Sequence, residues 1–250
     1  MIHLHLIGIG TGNPDHLTLQ AIKALNAADL VLIPRKGDSK ADLADLRRSI
    51  CAAVITNPAT QMAEFDLPVR DSANPDYLDG VNLWHDAIAR VWARTIAQHP
   101  DATHVALLVW GDPSLYDSTL RIAARLTTPI KVHMVPGITS VQALTAAHAI
   151  PLNDLGAPVT ITTGRQLRDG WPAGADTLVI MLDGSCSFQS IDPAGVFIWW
   201  AAYVGMAEQI ILSGPLADIS AQIIETRAAA RAAHGWIMDI YLLRRDPYIT

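Results

Sequence analysis

The sequence is poor in several residue types, and each scarcity excludes a class of protein. It has two cysteines in 250 residues, Cys51 and Cys186, too far apart for the paired spacing of a zinc site or a disulfide framework. Only 17% of the residues are charged while 50% are hydrophobic, which excludes a largely disordered chain. We therefore expect a folded protein without a metal site, in a reducing cytoplasm.

Basic residues and long apolar runs are also scarce. Lys and Arg number 18 against 24 Asp and Glu, so the net charge is −6, whereas proteins that grip a nucleic-acid backbone usually carry excess positive charge. The longest apolar stretch, residues 194–206, has thirteen residues, fewer than the roughly 20 that span a bilayer. The first residues lack the pattern of a signal peptide. We expect no nucleic-acid partner, no membrane span and no export.

What the sequence does contain is an alternation of short apolar, β-rich runs with helical patterns. Ile88, Val91, Trp92, Thr95 and Ile96 share one face of a predicted helix. Most of the runs are apolar almost throughout, which is typical of buried, largely parallel strands. The sequence thus predicts an α/β fold with mostly parallel sheets. The predicted strands are residues 2–7, 30–33, 104–110, 131–135, 159–163, 177–182, 196–203, 209–212 and 236–243.

Two irregular stretches indicate how the chain is organised. Residues 150–158 combine two prolines, a glycine and two Asn/Asp residues, as at a domain junction. We therefore predict two domains, residues 1–152 and 153–250. Residues 56–80 carry three prolines and mixed charge, and we predict a long excursion over the surface there.

The first predicted strand ends in a glycine-rich turn, GIGTGNP, at residues 8–14. Glycines at this point allow a tight turn and the close approach of a ligand to the backbone. The pattern does not match a dinucleotide site, because Asn13 stands where the third glycine belongs and residues 34–36 are Pro-Arg-Lys instead of the expected acid. A turn that merely closes a strand-helix unit is the alternative.

Two further predicted strands end in loops rich in glycine and proline, GDPSLY from Gly111 and PGITS up to Ser140. Asp112 is able to accept hydrogen bonds or to oppose a cation, but followed by Pro113 it is also an ordinary helix start. The hydroxyl of Thr139 or Ser140 suits either a ligand or a helix cap. Three such loops from one half of the chain could converge on one small molecule.

Taken in order, these motifs resemble the signatures of the tetrapyrrole methylase family, and the resemblance covers almost the whole chain. It implies an S-adenosylmethionine-dependent methyltransferase that releases S-adenosyl-L-homocysteine. It also implies two α/β domains with the cofactor in the cleft between them. The matching segments are residues 6–15, 17–19, 27–29, 111–116, 135–140, 150–152, 162–164, 177–182, 208–209 and 214–219.

Residues 32–43 with 47–48, and 235–239 with 241–243, are most similar to one branch of the family, which acts in the aerobic route to the corrin ring of cobalamin. This closer resemblance implies methylation of precorrin-5 at C-1 with loss of the acetyl group as acetate. It also implies a homodimer. The alternatives are a member acting on another precorrin carbon or on RNA, which the acidic charge disfavours, and a non-catalytic sensor on the same fold.

The resemblance assigns the cofactor to two sets of residues. In the second set the chain departs from the family, since Leu182 replaces a common methionine and residues 205–207 replace a Gly-Thr-Thr-like stretch. The first set is Pro14, Gly111, Asp112, Pro113, Ser114, Tyr116, Thr139 and Ser140, and the second set is Leu182, Gly205, Met206 and Ala207.

The implied substrate carries many carboxylates, so local cations are needed to hold it. We expect Arg35, Lys36 and Arg165 to do so, because arginine binds carboxylates in a bidentate manner. The alternative is that Arg35 and Lys36 belong to a solvated face. Loss of the acetyl group favours a general base, and Asp112 is the candidate for a catalytic polar group. His3 and His5, which alternate on a predicted strand, are expected to be structural.

Overall fold

The structure, a computed structural model, describes residues 1–35, 41–71 and 73–245. The chain divides into two compact units, Met1–Thr139 and Ser140–Thr250, each built around one five-stranded sheet. The division precedes the boundary predicted after residue 152, because the helix Ser140–His148 packs against strands of the second sheet. Within the described ranges every helix is too short or too polar to span a lipid bilayer.

The first unit has a fully parallel sheet, as predicted, with strand order β3-β2-β4-β1-β5. Apolar layers cover both of its faces, one around Leu4 and Trp92 and the other around Ile7 and Leu25. Burial on both faces explains why β1, β2 and β4 have nearly continuous apolar sequences. The elements are β1 Ile2–Gly8, α1 Leu19–Asn26, β2 Leu30–Arg35, α2 Ala41–Val54, β3 Gln61–Asp66, α3 Tyr77–Ala97, β4 His104–Val109, α4 Thr119–Ala123 and β5 Ile130–Val135.

The prediction of a surface excursion at residues 56–80 is wrong in two places. Residues 61–66 form β3, which pairs in parallel with β2, and α3 begins at Tyr77. Phe65 is the only buried residue of β3, so the strand has no apolar pattern in the sequence. An edge strand of this kind is held by backbone pairing with its neighbour more than by burial.

The second unit has a mixed sheet with strand order β6-β7-β10-β8-β9. Only β6 and β7 pair in parallel, and the other three pairings are antiparallel, so the prediction of mostly parallel sheets is wrong for this unit. The central strand β10 is buried over most of its length, and such a strand looks the same in either orientation. The elements are α5 Ser140–His148, β6 Val159–Thr163, α6 Gly164–Arg168, β7 Thr177–Met181, β8 Val196–Ala202, β9 Ile210–Pro215, α7 Leu216–His234 and β10 Asp239–Arg245.

In each unit the topology gathers strand ends at one edge of the sheet. All strands of the first sheet point the same way, so Gly8, Val109 and Val135 end at a common edge. In the second sheet β7 and β8 both run antiparallel to β10, and β6 runs parallel to β7. The loops after β6, β7 and β8 therefore share an edge as well.

Four histidines stack on one face of the first sheet. His3 and His5 of β1 lie beside His104 of β4 and His133 of β5, and two of the ring pairs have centroids 4.8 Å apart. Ring nitrogens of His3 and His133 are 3.0 Å apart, and those of His5 and His104 are 3.1 Å apart. One ring of each such pair must be neutral to accept the hydrogen bond. Burial, followed by the charges of His133, His104 and His3, lowers the pKa of His5 to about 4.

The histidine stack makes the stability of the protein sensitive to acid. The pKa of His5 falls from 6.5 to about 4 on folding, so the unfolded chain binds more protons between these values. The part of the free energy of unfolding that depends on His5 is fully present above pH 6.5 and is lost progressively as the pH falls towards 4. His5→Phe keeps a stacking ring but removes the titration, and should reduce the loss between pH 7 and pH 5 by about 1 kcal/mol, allowing for partial exposure.

Urea unfolding of both proteins at the two pH values measures this difference. His234→Phe, a change at an exposed histidine of α7, is the control and should keep the wild-type loss. An equal loss in the His5 variant and the wild type would show that the stack does not set the acid sensitivity.

Candidate functional site

Three strand ends of the first sheet meet through bare glycine backbone. Gly8 ends β1, Gly111 follows β4 and Gly137 follows β5. A Cβ atom on Gly8 would lie 2.7 Å from the carbonyl oxygen of Gly111, and one on Gly137 would lie 2.1 Å from the same oxygen. Gly10 and Gly111 also exchange two backbone hydrogen bonds of 3.3 and 2.7 Å. The three predicted loops thus converge, and side chains are excluded at their contact, which we call the glycine junction.

Asp112 links two of these loops through its carboxylate. Oδ2 accepts a 2.9 Å hydrogen bond from the backbone N–H of Gly137, and Oδ1 accepts from the backbone N–H of Ser114 at 2.8 Å and from its hydroxyl. Burial alone would raise the pKa of Asp112, but the hydrogen bonds from Ser114 and Gly137 outweigh it and lower the pKa. Helix α4 begins only at Thr119, so the alternative of Asp112 as a helix start is wrong.

Pro14 lies on an exposed single turn of 3-10 helix, Pro14–His16, that folds back over the glycine turn. The hydroxyl of Thr11 and Nδ1 of His16 are 3.0 Å apart. Gly10 has a left-handed φ of +73°, and a Cβ there would lie 2.5 Å from the Cβ of His16. The turn is therefore fixed internally, and it carries Pro14 at its surface.

The remaining predicted residues of the first set flank the glycine junction. Ser114 and Tyr116 are exposed while Pro113 is buried. Tyr116 has a φ of +49°, which is unusual for a residue with a side chain and persists only where the surrounding structure enforces it. Thr139 precedes the first residue of α5, Ser140, and so occupies the N-cap position of that helix.

In the second unit, the predicted cofactor residues lie at the edge where β7 and β8 end. Leu182 is 68% exposed and has a φ of +54°. Gly205 has a φ of +84°, and its N–H donates a 2.8 Å hydrogen bond to Oε1 of Gln209. Met206 is half-buried and Ala207 is exposed. The loop at 205–207 is thus held by an internal contact with Gln209.

A buried polar cluster next to Leu182 is absent from the sequence-based predictions. Asp183, only 6% exposed, accepts hydrogen bonds from the hydroxyls of Tyr241 at 2.6 Å and Ser187 at 2.8 Å. Burial would raise the pKa of Asp183, but these bonds and the backbone bonds around them lower it. The buried pair of Arg227 and Asp239 completes the cluster, with 2.8 Å between Nε and Oδ2. The one sequence signal for it is an aspartate directly after a buried strand.

The predicted substrate cations have different surroundings. Arg35 makes a two-pronged pair with Asp66, with Nε–Oδ1 and Nη2–Oδ2 distances of 3.0 and 3.1 Å, and its Nη1 is 3.6 Å from Glu64. A substrate carboxylate would have to compete with these acids. Arg165 is exposed on α6, at the same edge as Leu182. Lys36 lies outside the described residues.

Arg47 is a cation that the sequence-based assignment of substrate residues left out. Its guanidinium lies 5.0 Å from the ring centre of Trp110, and its Nε donates a 3.4 Å hydrogen bond to the carbonyl of Leu108. Burial lowers the pKa of Arg47 to about 10, so it stays charged at neutral pH. A half-buried cation thus lies at the end of β4, just before the Gly111 loop.

Comparison with known proteins identifies the family. Residues 3–220 match the tetrapyrrole (corrin/porphyrin) methylases. The chain is 48% identical over 245 residues to a precorrin-6A synthase [deacetylating] of Sinorhizobium sp., covering 96% of this chain and 94% of that one.

Comparison with solved structures leads to the same family. The cobalamin synthesis related protein CobF of Corynebacterium diphtheriae has a TM-score of 0.82 and 40% identity, over 98% of this chain and 99% of that one. A Thermus thermophilus uroporphyrin-III C-methyl transferase, complexed with S-adenyl homocysteine, shares the fold with a TM-score of 0.61 and 20% identity, over 97% of each chain. The chain belongs to the tetrapyrrole methylase family.

Proposed function

We propose that the protein is a deacetylating precorrin-6A synthase. It transfers a methyl group from S-adenosylmethionine to C-1 of precorrin-5, and the acetyl group is lost as acetate. The observation that carries the proposal is the 48% identity to a relative of that name over nearly the full length of both chains. The loops of the glycine junction, at the sheet edge where α/β proteins bind ligands, support it.

The cofactor proposal is that residues of the Gly111 loop and the segments beginning at Leu182 and Gly205 contact S-adenosylmethionine. The sequence resemblance to the family implies a role in cofactor binding for these positions. Tyr116 and Leu182 both combine an exposed apolar side chain with a left-handed backbone. Small-molecule sites typically join apolar surface with a few backbone polar groups, as an adenine ring and an amino-acid group require. A uroporphyrin-III C-methyl transferase of the same fold is complexed with S-adenyl homocysteine, which supports the choice of S-adenosylmethionine as the cofactor.

When bound, the cofactor supplies a methyl group on a positively charged sulfur, which a nucleophilic carbon can take by direct displacement. The protein then has to hold donor and acceptor in line, and no side chain needs to attack. Correct orientation alone is worth up to roughly 7 to 11 kcal/mol in well-oriented reactions. The glycine junction suits this task, because it fixes the loops by backbone contact without flexible side chains.

Loss of acetate requires water to add to the acetyl carbonyl, so a base near the acetyl group would help. The catalytic role of Asp112 stays a prediction. Its carboxylate accepts hydrogen bonds at both oxygens, and its pKa is lowered, so it is a weak proton acceptor at neutral pH. We propose that Asp112 serves chiefly to hold the Gly111 loop against the turn at Gly137.

For the acceptor, we propose that Arg165 and Arg47 are better placed than Arg35 to attract substrate carboxylates. Arg165 is exposed at the sheet edge that carries Leu182, and Arg47 is a half-buried cation close to the Gly111 loop. A substrate carboxylate that binds Arg35 has to displace Asp66. Lys36 remains a sequence-based candidate.

We also propose that the protein is a cytoplasmic homodimer. Cys51 and Cys186 are buried free thiols, which suits a reducing compartment. Val132 and Met134 are exposed on β5, an edge strand, and offer apolar surface to a second copy. Light scattering on the purified protein measures the mass directly.

The reaction itself is tested by mass spectrometry after incubation with precorrin-5 and methyl-labelled S-adenosylmethionine. The expected product carries one labelled methyl group and lacks one acetyl group, with one acetate released per turnover. One control reaction omits the protein, and a second contains S-adenosylhomocysteine in place of the methyl donor. A labelled product that keeps its acetyl group would contradict the deacetylating assignment, and absence of label would contradict the methyltransferase proposal for this substrate.

Gly137→Ala tests the glycine junction. Its Cβ would lie 2.1 Å from the carbonyl oxygen of Gly111, so the backbone must move and methyl transfer should fall by at least about a hundredfold. Gly214→Ala is the matched control, since its Cβ meets Ile219 at an ordinary 3.5 Å. Initial rates of methyl transfer measure both, and a Gly137 variant with near wild-type rate would refute the role of the junction.

Asp112→Asn distinguishes a base from a holding group. The amide retains one acceptor oxygen but turns an NH₂ towards a backbone N–H, which should raise KM for S-adenosylmethionine by about tenfold. The ratio of acetate to methyl product should stay at one. A variant that methylates but releases no acetate would instead identify Asp112 as the base for deacetylation.

A further inference from the structure

We propose that Asp183 is a positioning residue for the cofactor, which holds the backbone of Leu182 in its left-handed conformation. The inference rests on the proposed function, in that Leu182 is taken as a cofactor contact. Asp183 itself is 6% exposed while Leu182 is 68% exposed, so the aspartate acts through its neighbour.

The conformation of Leu182 needs an external cause. Its φ of +54° is disfavoured for a residue with a branched side chain, and such a backbone persists only when the surrounding structure enforces it. Burial of the side chain is not that cause, because the side chain is mostly in solvent. The enforcing contacts must therefore act on the adjacent chain.

Asp183 provides these contacts from several directions. Tyr241 on β10 donates to Oδ2 at 2.6 Å, and the backbone N–H of Ser185 donates to Oδ1 at 3.1 Å. Ser187 donates from its N–H at 2.5 Å and from its hydroxyl at 2.8 Å. Arg227 of α7 donates to the backbone carbonyl of Asp183 at 3.2 Å. Side chain and main chain of the residue after Leu182 are both fixed.

The end of β6 is shaped to admit the same carboxylate. A Cβ atom on Gly164 would lie 2.3 Å from Cγ of Asp183, so only glycine leaves room for it. Gly164 opens α6, which carries Arg165. The carboxylate thus sets the relative positions of two strand-end segments, the one at Leu182 and the one at Arg165.

The energetics make Asp183 difficult to replace. A buried carboxylate that has lost a donor keeps its desolvation cost, and hydrogen bonds to charged groups are among the stronger ones in proteins. Burial raises the pKa of Tyr241, so its hydroxyl stays protonated as the donor. Removing that hydroxyl should loosen the segment while preserving the packing of the ring against Phe188.

Tyr241→Phe is the principal test, with the dissociation constant of S-adenosylhomocysteine measured by calorimetry on the folded variant. We expect it to rise about tenfold, together with KM for S-adenosylmethionine, with little change in kcat at saturating cofactor. Ile198→Val is the control, because it removes a buried methyl group from the same core. Ile198 lies in the N-terminal half of β8, whereas the loop at Gly205 follows the C-terminal end of that strand. It should lower the melting temperature without changing the dissociation constant.

Ser187→Ala is a milder second variant, which loses the hydroxyl bond to Asp183 together with the bond that Arg168 donates to the same hydroxyl, and it serves if Tyr241→Phe does not fold. Its dissociation constant should rise about threefold. Wild-type affinity in a folded variant with lowered stability would overturn the proposal and leave a purely structural cluster. Failure of the wild-type protein to bind S-adenosylhomocysteine would overturn it differently, by removing the cofactor assignment on which it rests.

Discussion

Contact between the backbones of Gly8, Gly111 and Gly137 determines how the loops at the end of β1, β4 and β5 are arranged in the first unit. Neighbouring parallel strands normally end in loops separated by side chains, but here the carbonyl of Gly111 occupies the space that a Cβ atom would take. The loops can then approach closely enough for Asp112 to reach the N–H of Gly137. Partial burial of the Asp112 carboxylate is tolerated there because these hydrogen bonds compensate for lost hydration.

The second unit fixes the loops at the corresponding edge of its own sheet by a different physical means. There, a buried aspartate with several donors holds the segment after β7, and an arginine-aspartate pair lies beside it. A side-chain network of this kind is directional, and it is costly when incomplete. A junction made of glycines has no polar side chain to leave unsatisfied. The two edges therefore tolerate substitution differently, the first being limited by volume and the second by hydrogen bonding.

Much of this could be predicted from sequence, and the exceptions have identifiable causes. Continuous apolar runs predict the α/β fold and the parallel first sheet. They do not predict β3, because that strand is held by backbone pairing with β2 and not by apolar side chains. The direction of β10 cannot be predicted from its sequence, because a strand buried over most of its length has the same apolar pattern in either orientation. The glycine loops can be predicted from the sequence, because each close backbone contact requires a glycine at that position. Asp183 was not, because its partners Ser187, Arg227 and Tyr241 are spread along the sequence.

Strand β10 has a consequence for how the protein is made. It lies in the middle of the second sheet, between β7 and β8, although it is the last strand of that sheet along the chain. Domains generally fold as units, starting with the N-terminal one while synthesis continues. The first sheet can close once residue 135 has left the ribosome, but β7 and β8 have no partner between them until residues 239–245 emerge. The second unit thus completes its sheet only after residues 239–245 have been synthesised.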